Sequence, residues 1–254
     1  MIKMDIIDVF YLIYLIMMCI PGILIMIKAL KINLTNVVYF GLLMVFNGLA
    51  SIPGILDLSY LTPVFRNVGF IFLMLFTQKT FYENKKSPFP ILLICIIIAA
   101  VTTIIIEVVG FTIVDPAISY IGDISLATSM FIAFSWCGYA ALTSYKEVKS
   151  LSIEPHFKKR YQFLGVVAFI NDIPAILFVL QAPLNVVLQT DLLPLVFLGF
   201  LITSMIAVFI YYILWFMPTS VKNYFNKGYT SKKSAEEELS EEELMKGIKE
   251  EIDK

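Results

Sequence analysis

Residues 194–217, PLVFLGFLITSMIAVFIYYILWFM, run for 24 positions without a single charged side chain. About 20 mainly apolar residues at 1.5 Å per residue match the roughly 30 Å hydrocarbon core of a bilayer. A chain crossing that core must satisfy its own backbone hydrogen bonds, which a helix does within one segment. Six further stretches of similar length and apolarity precede this one. The seven expected spans lie near residues 7–27, 36–56, 63–82, 90–113, 118–143, 161–181 and 193–217, each bounded by charges, prolines or polar turns. With 59% of its 254 residues apolar and 15% charged, and a mean hydropathy of +0.85, the chain departs far from the about 45–50% apolar and 25% charged of soluble domains. That excludes a soluble globular protein. The expected fold is an all-α integral membrane protein, a seven-transmembrane-helix bundle over residues 1–225, followed by an acidic amphipathic cytoplasmic tail over 226–254.

Seven spans put alternate loops on opposite sides, and their lysines and arginines set the orientation. One side receives Lys28, Lys31, Lys79, Lys85, Lys86, Lys146, Lys149, Lys158, Lys159, Arg160, Lys222 and Lys227, which is 12 of the 14 bases in residues 1–230. The other side has Lys3 and Arg66. The N-terminus is therefore expected outside and the C-terminus in the cytoplasm of a multi-pass cell-membrane protein. A wrong span count would scramble this asymmetry. The acids mirror it: Asp5, Asp8, Asp57, Asp115, Asp123 and Asp191 fall at outer helix ends or in outer loops, a field that would concentrate cations at the external mouth. The first segment, MIKMDIIDVFYLIYLIMMCI, lacks a strong basic n-region and an Ala-x-Ala-like site, and reads as the first span rather than a removed leader. The longest loop, about Ser144 to Arg160, has room for a turn of helix. High Ile and Lys usage with few Arg suggests an AT-rich prokaryotic genome.

An ionisable group at membrane depth costs about 2.5–3.5 kcal/mol on insertion scales and marks a candidate functional site. Asp172 lies near the centre of the sixth span, beside Asn171 and two residues before Pro174, whose missing N–H frees a backbone carbonyl. Glu107 lies in the fourth span. Arg66, at the outer start of the third, is the one basic side chain near their depth, and pairing with Glu107 or Asp172 is expected. The outer half of the second span carries Asn47, Gly48, Ser51, Pro53 and Gly54; Asn47 and Ser51 are candidates to line a cavity bounded by spans two, three, six and seven. Small residues at helical spacing, namely Gly122, Ser125, Ser129 and Ala133 with Trp136 in the fifth span and Gly199, Thr203 and Ala207 in the seventh, read as packing faces. Cys19, Cys95 and Cys137 all lie in apolar runs and read as small buried hydrophobes.

Several chemistries are argued against. The seventh span has no lysine, so a retinal Schiff base is not expected. With His156 the one histidine, neither bis-His haem ligation nor a histidine metal site can be drawn. Tyr120-Ile121-Gly122-Asp123 lacks the first glycine of an intramembrane aspartyl-protease motif. No phosphate loop or nucleophile elbow is present. No enzyme activity, catalytic residue, cofactor, metal or nucleic-acid partner is expected. The bilayer is the expected environment, with the basic run His156 to Arg160 at the cytoplasmic headgroup level. In the tail, Ser234 with Glu237 and Ser240 with Glu243 form capping-box patterns. Leu244, Ile248 and Ile252 then make an apolar stripe on an acidic helix, a surface for a cytoplasmic signalling protein.

The sixth span reads KKRYQFLGVVAFINDIP, a basic start followed by Gln162, Gly165 and Asn171. Together with the N-out seven-helix pattern and Arg66, it resembles the seven-helix sensor module that precedes histidine kinases in many archaea and bacteria, over about residues 5–220. No kinase or cyclase domain follows in this sequence. The resemblance implies an orphan membrane sensor or signalling scaffold that works through a separate cytoplasmic protein; it carries over no catalytic residue and identifies no ligand. The alternative expectation is a small transporter or proton-coupled permease using Asp172, Glu107 and Arg66.

Overall fold

A computed structural model describes residues 6–56, 58–83, 85–112, 116–150, 154–188 and 193–227. Among them every regular element is a helix: α1 (Ile6–Lys31), α2 (Thr35–Leu49), the one-turn α3 (Ile52–Ile55), α4 (Thr62–Phe81), α5 (Phe89–Thr112), α6 (Pro116–Val148), α7 (Pro155–Ile170), α8 (Asp172–Leu188), α9 (Leu193–Phe216) and α10 (Thr219–Phe225). Local sequence explains several ends. Proline stands in the first turn of α3, α4 and α7, where its missing N–H costs nothing. At the end of α1, Asn33 adopts φ 54°, and Leu34 N–H donates to Ala29 O at 2.9 Å while Asn33 N–H donates to Leu30 O at 3.4 Å. This is the Schellman arrangement, with asparagine supplying the left-handed residue.

Six segments are long and apolar enough to cross a membrane: Val9–Lys31, Thr35–Ile55, Phe89–Glu107, Tyr120–Val148, Pro155–Leu180 and Leu198–Phe216. The chain is thus a helical, multi-pass membrane protein by length and composition. The remaining expected span, the third, is α4, which has the length but not the apolarity, since it carries Arg66, Asn67, Gln78 and Lys79. It is packed against α2, α5 and α6 instead of standing alone. Its buried polar groups turn back on their own helix: Asn67 Nδ2 donates to Pro63 O and Thr77 Oγ1 to Leu73 O, each at 2.9 Å. The expected loop 144–160 is also shorter than its sequence suggests, because α6 continues to Val148 and α7 opens at Pro155.

Packing follows helix faces. In α5, Ile91, Ile94, Ile98, Val101 and Ile105 are exposed, whereas Ile96, Ala99, Ala100 and Thr103 are buried. The outward stripe at three- and four-residue spacing is a lipid-facing surface. Cys95 belongs to this exposed side; the expectation of three buried thiols holds for Cys137, while Cys19 is half-buried. Between α1 and α2 the backbones nearly touch. A Cβ added at Gly41 would collide with Met26 Cγ and lie 2.7 Å from Gly22 O, so this crossing requires glycine. Ser129, Ala133 and Trp136 are buried, as is Ala207, in keeping with the expected packing faces. Gly199 differs, with nothing within 4 Å of an added Cβ. One aromatic cluster ties α2, α4 and α9 together: Phe40 lies 5.1 Å from Phe76, 4.8 Å from Tyr211 and 6.1 Å from Trp215, centroid to centroid.

Candidate functional site

A cavity of about 50 Å³ lies inside the bundle, with walls from α1, α2, α4, α6, α8 and α9. Its polar lining includes Asn47, Arg66, Asp123, Asn171 and Ser204. The rest is apolar and strongly aromatic, with Phe70, Phe134, Phe178 and Phe200 among its walls. The expected boundary of spans two, three, six and seven is present, and α1 and α6 complete the enclosure.

Arg66 enters from the first turns of α4, its guanidinium 5.0 Å from the Phe200 ring centroid. No ion pair joins it to Glu107 or Asp172 among the described residues. It acts electrostatically on Glu107 and on Asp123, and Asp123 in turn acts on Glu107. Glu107 reaches this group from α5 beside Gly122, where an added Cβ would lie 3.8 Å from its Oε1. Of the two partners expected for Arg66, Glu107 is the one within its electrostatic reach, and Asp123, which was not expected as a partner, shares the cavity wall with Arg66. The reason is position: Arg66 and Asp123 both sit in the early turns of their helices, α4 and α6, whereas Asp172 follows the break between α7 and α8.

The sixth expected span is not one continuous helix. It stops at Ile170 and restarts at Asp172, with Asn171 between them. Asn171 N–H donates to both Val167 O and Ala168 O at 3.1 Å, and its side-chain Nδ2 reaches Val167 O at 3.0 Å and Tyr211 Oη at 3.2 Å. Pro174, fully buried, cannot donate to the carbonyl one turn earlier, which accounts for a break at this place. Asp172 itself is 4% exposed. It accepts a 2.6 Å hydrogen bond from Ser135 Oγ of α6 through Oδ2, and Oδ1 has no protein partner. Asp172 does not line the cavity, but it lies within electrostatic reach of Tyr211, which does.

Asn47 donates to Leu43 O at 2.9 Å, and its amide fills the space in which Gly69 has no side chain, 2.6 Å from where a Cβ would stand. Ser51 is buried but is not part of the wall. Sequence reasoning missed Tyr14 and Tyr211, which both line the cavity, because a hydroxyl on an aromatic ring carries little weight in an apolar run. Asp123 was legible as an outer acid, not as a wall residue. Leu244, Ile248 and Ile252 lie outside the described residues, as do the tail's capping boxes.

At the opposite end of α9 from Phe200, Lys28 donates to Trp215 O at 2.7 Å, and Arg160 stacks over Phe157 and Trp215 at 5.4 and 5.5 Å. His156 N–H donates to Asn226 Oδ1 at 3.1 Å, and Asn226 Nδ2 donates to Glu154 Oε2 at 2.9 Å. These contacts fasten the end of α10 to the start of α7. Among the described residues no group of three His, Cys, Asp or Glu is placed to hold a metal ion. No family model, curated protein or solved structure matches the chain.

Proposed function

We propose that this chain is a seven-helix sensor of the cell membrane, N-terminus outside and C-terminus cytoplasmic, that reads a cue in its interior cavity and engages a cytoplasmic signalling protein through its third inner loop and tail. The cavity carries this reading. Its walls come from six helices drawn from the first to the last of the long elements, so an occupant contacts most of the bundle at once. One wall residue, Asn171, sits at a helix break, where a small change in backbone angle swings a whole helical segment. Orientation rests on the 12 of 14 bases that fall on one side of a seven-span chain, and α4 is taken as the third crossing beside the six apolar ones, its polar groups shielded by α2, α5 and α6. The resemblance to the membrane modules of histidine kinases supports the same class. No enzymatic step and no cofactor enters this reading.

The test compares the full-length protein with a chain ending at Tyr229, each extracted from native membranes in mild detergent. A protein that co-purifies with the full chain and is lost on truncation supports the sensor. Equal recovery from both chains removes tail-mediated signalling.

Asp172 favours a second reading, a proton-coupled permease, because a buried carboxyl with one oxygen unpartnered is a costly feature to retain for packing alone. In that case Asp172→Asn abolishes a pH-dependent flux while folded yield is kept. An unchanged flux removes the permease.

A further inference from the structure

Two opposite charges, Arg66 and Asp123, line the same cavity and interact through space, yet no ion pair closes between them among the described residues. Opposite charges in a buried site gain most by meeting a partner. A cation alone would meet the Arg66 charge, and an anion alone would meet Asp123 with Glu107 behind it. A molecule carrying both charges complements the pair. Size sets a second limit. A single water needs about 10–15 Å³ in a cavity, so about 50 Å³ admits a small molecule. Long-chain lipids are too large. The third limit is the wall chemistry: beyond the charges stand Phe70, Phe134, Phe178 and Phe200, surfaces for an apolar body.

We propose that the cavity binds a small zwitterion with an apolar body, of the α-amino-acid class, its carboxylate on Arg66, its ammonium on Asp123 and its side chain among the four phenylalanines. This rests on the cavity being the sensor's cue site and names the chemistry of that cue. Arg66 is suited to the carboxylate because its planar fork can bond both oxygens. Glu107, beside Asp123 but outside the wall, adds negative potential on the ammonium side.

The experiment uses the full-length protein in lipid nanodiscs and the probes L-valine, L-leucine and L-phenylalanine. Each is set against its two monofunctional counterparts; for leucine these are 4-methylpentanoate, which lacks the amine, and isopentylamine, which lacks the carboxylate. Saturable binding of at least one amino acid is expected, with both counterparts weaker by about tenfold to a hundredfold, the loss of one charged hydrogen-bonding group. Arg66→Gln and Asp123→Asn should each weaken the amino acid by a similar factor, and Arg66→Lys should retain more binding than Arg66→Gln. Melting curves of the variants separate lost binding from lost fold. A counterpart that binds as tightly as its amino acid, and is blocked by the cavity-filling Ala127→Phe, overturns the zwitterion while the cavity remains a cue site. Absence of saturable binding by all three amino acids overturns the inference, and recovery of a tail-dependent protein still decides the sensor reading by itself.

Discussion

Asp172 and Ser135 form the most consequential single contact in the interior. Ser135 Oγ supplies the carboxyl's one protein hydrogen bond, so Ser135→Ala leaves both oxygens unpartnered and should cost about 1–3 kcal/mol of stability. In Ser135→Ala/Asp172→Asn the cost should be less than the sum of the two single changes, because both act on one bond. Thermal unfolding of the four proteins in one detergent checks this; strict additivity would show that the pair does not act as a unit. The sequence singled out Asp172 by its cost at membrane depth, which holds whatever it faces. It did not reveal the partner, because Ser135 is one of many hydroxyls on a long helix, and only the crossing of α6 with α8 selects it. Arg66 illustrates the converse. A lone cation invited pairing with Glu107 or Asp172, and the tertiary arrangement keeps Glu107 within its electrostatic reach and adds Asp123 in place of Asp172.

At the scale of elements, helix existence was legible throughout, since apolar runs of spanning length leave the backbone no other solution. The interruption at Asn171 was foreshadowed by Pro174, yet an N-D-I-P sequence is compatible with a bend or a restart, and the choice depends on the Asn171 bonds to Val167 and Tyr211. The crossing of α1 and α2 is set by Gly22 and Gly41. Gly41→Ala should drive the two helices apart and destabilise the protein by about 1–3 kcal/mol, the usual cost of overpacking, whereas Gly199→Ala, facing open space, should change little. Unfolding midpoints in a common detergent check the contrast. Equal effects would mean that the close approach at Gly41 is not a constraint.

For the whole molecule, the number of crossings turns on α4. Six segments meet the apolarity of a span unaided, and α4 owes its place to neighbours that enclose its polar side chains. If α4 crosses the membrane, cysteines introduced at Leu58 and Lys86 in a chain otherwise free of cysteine lie on opposite sides. An impermeant maleimide applied to sealed, outward-facing cells should then label Leu58→Cys and spare Lys86→Cys until the membrane is opened. Labelling of both from one side would make α4 a segment that does not span and would invert every later loop. That inversion would also dissolve the lopsided charge tally, which is why a single helix of intermediate apolarity holds the orientation of the rest.

The outward stripe of α5 carries a consequence of another kind. Cys95 stands on that stripe among isoleucines, while Cys137 is enclosed and Cys19 is half-covered. The native chain therefore comes with a thiol presented to the surrounding acyl chains at a fixed height along one helix. A lipid-soluble spin label attached there would act as a depth gauge, its signal quenched by oxygen or by a water-borne relaxant according to where α5 sits in the bilayer, with no substitution in the protein at all.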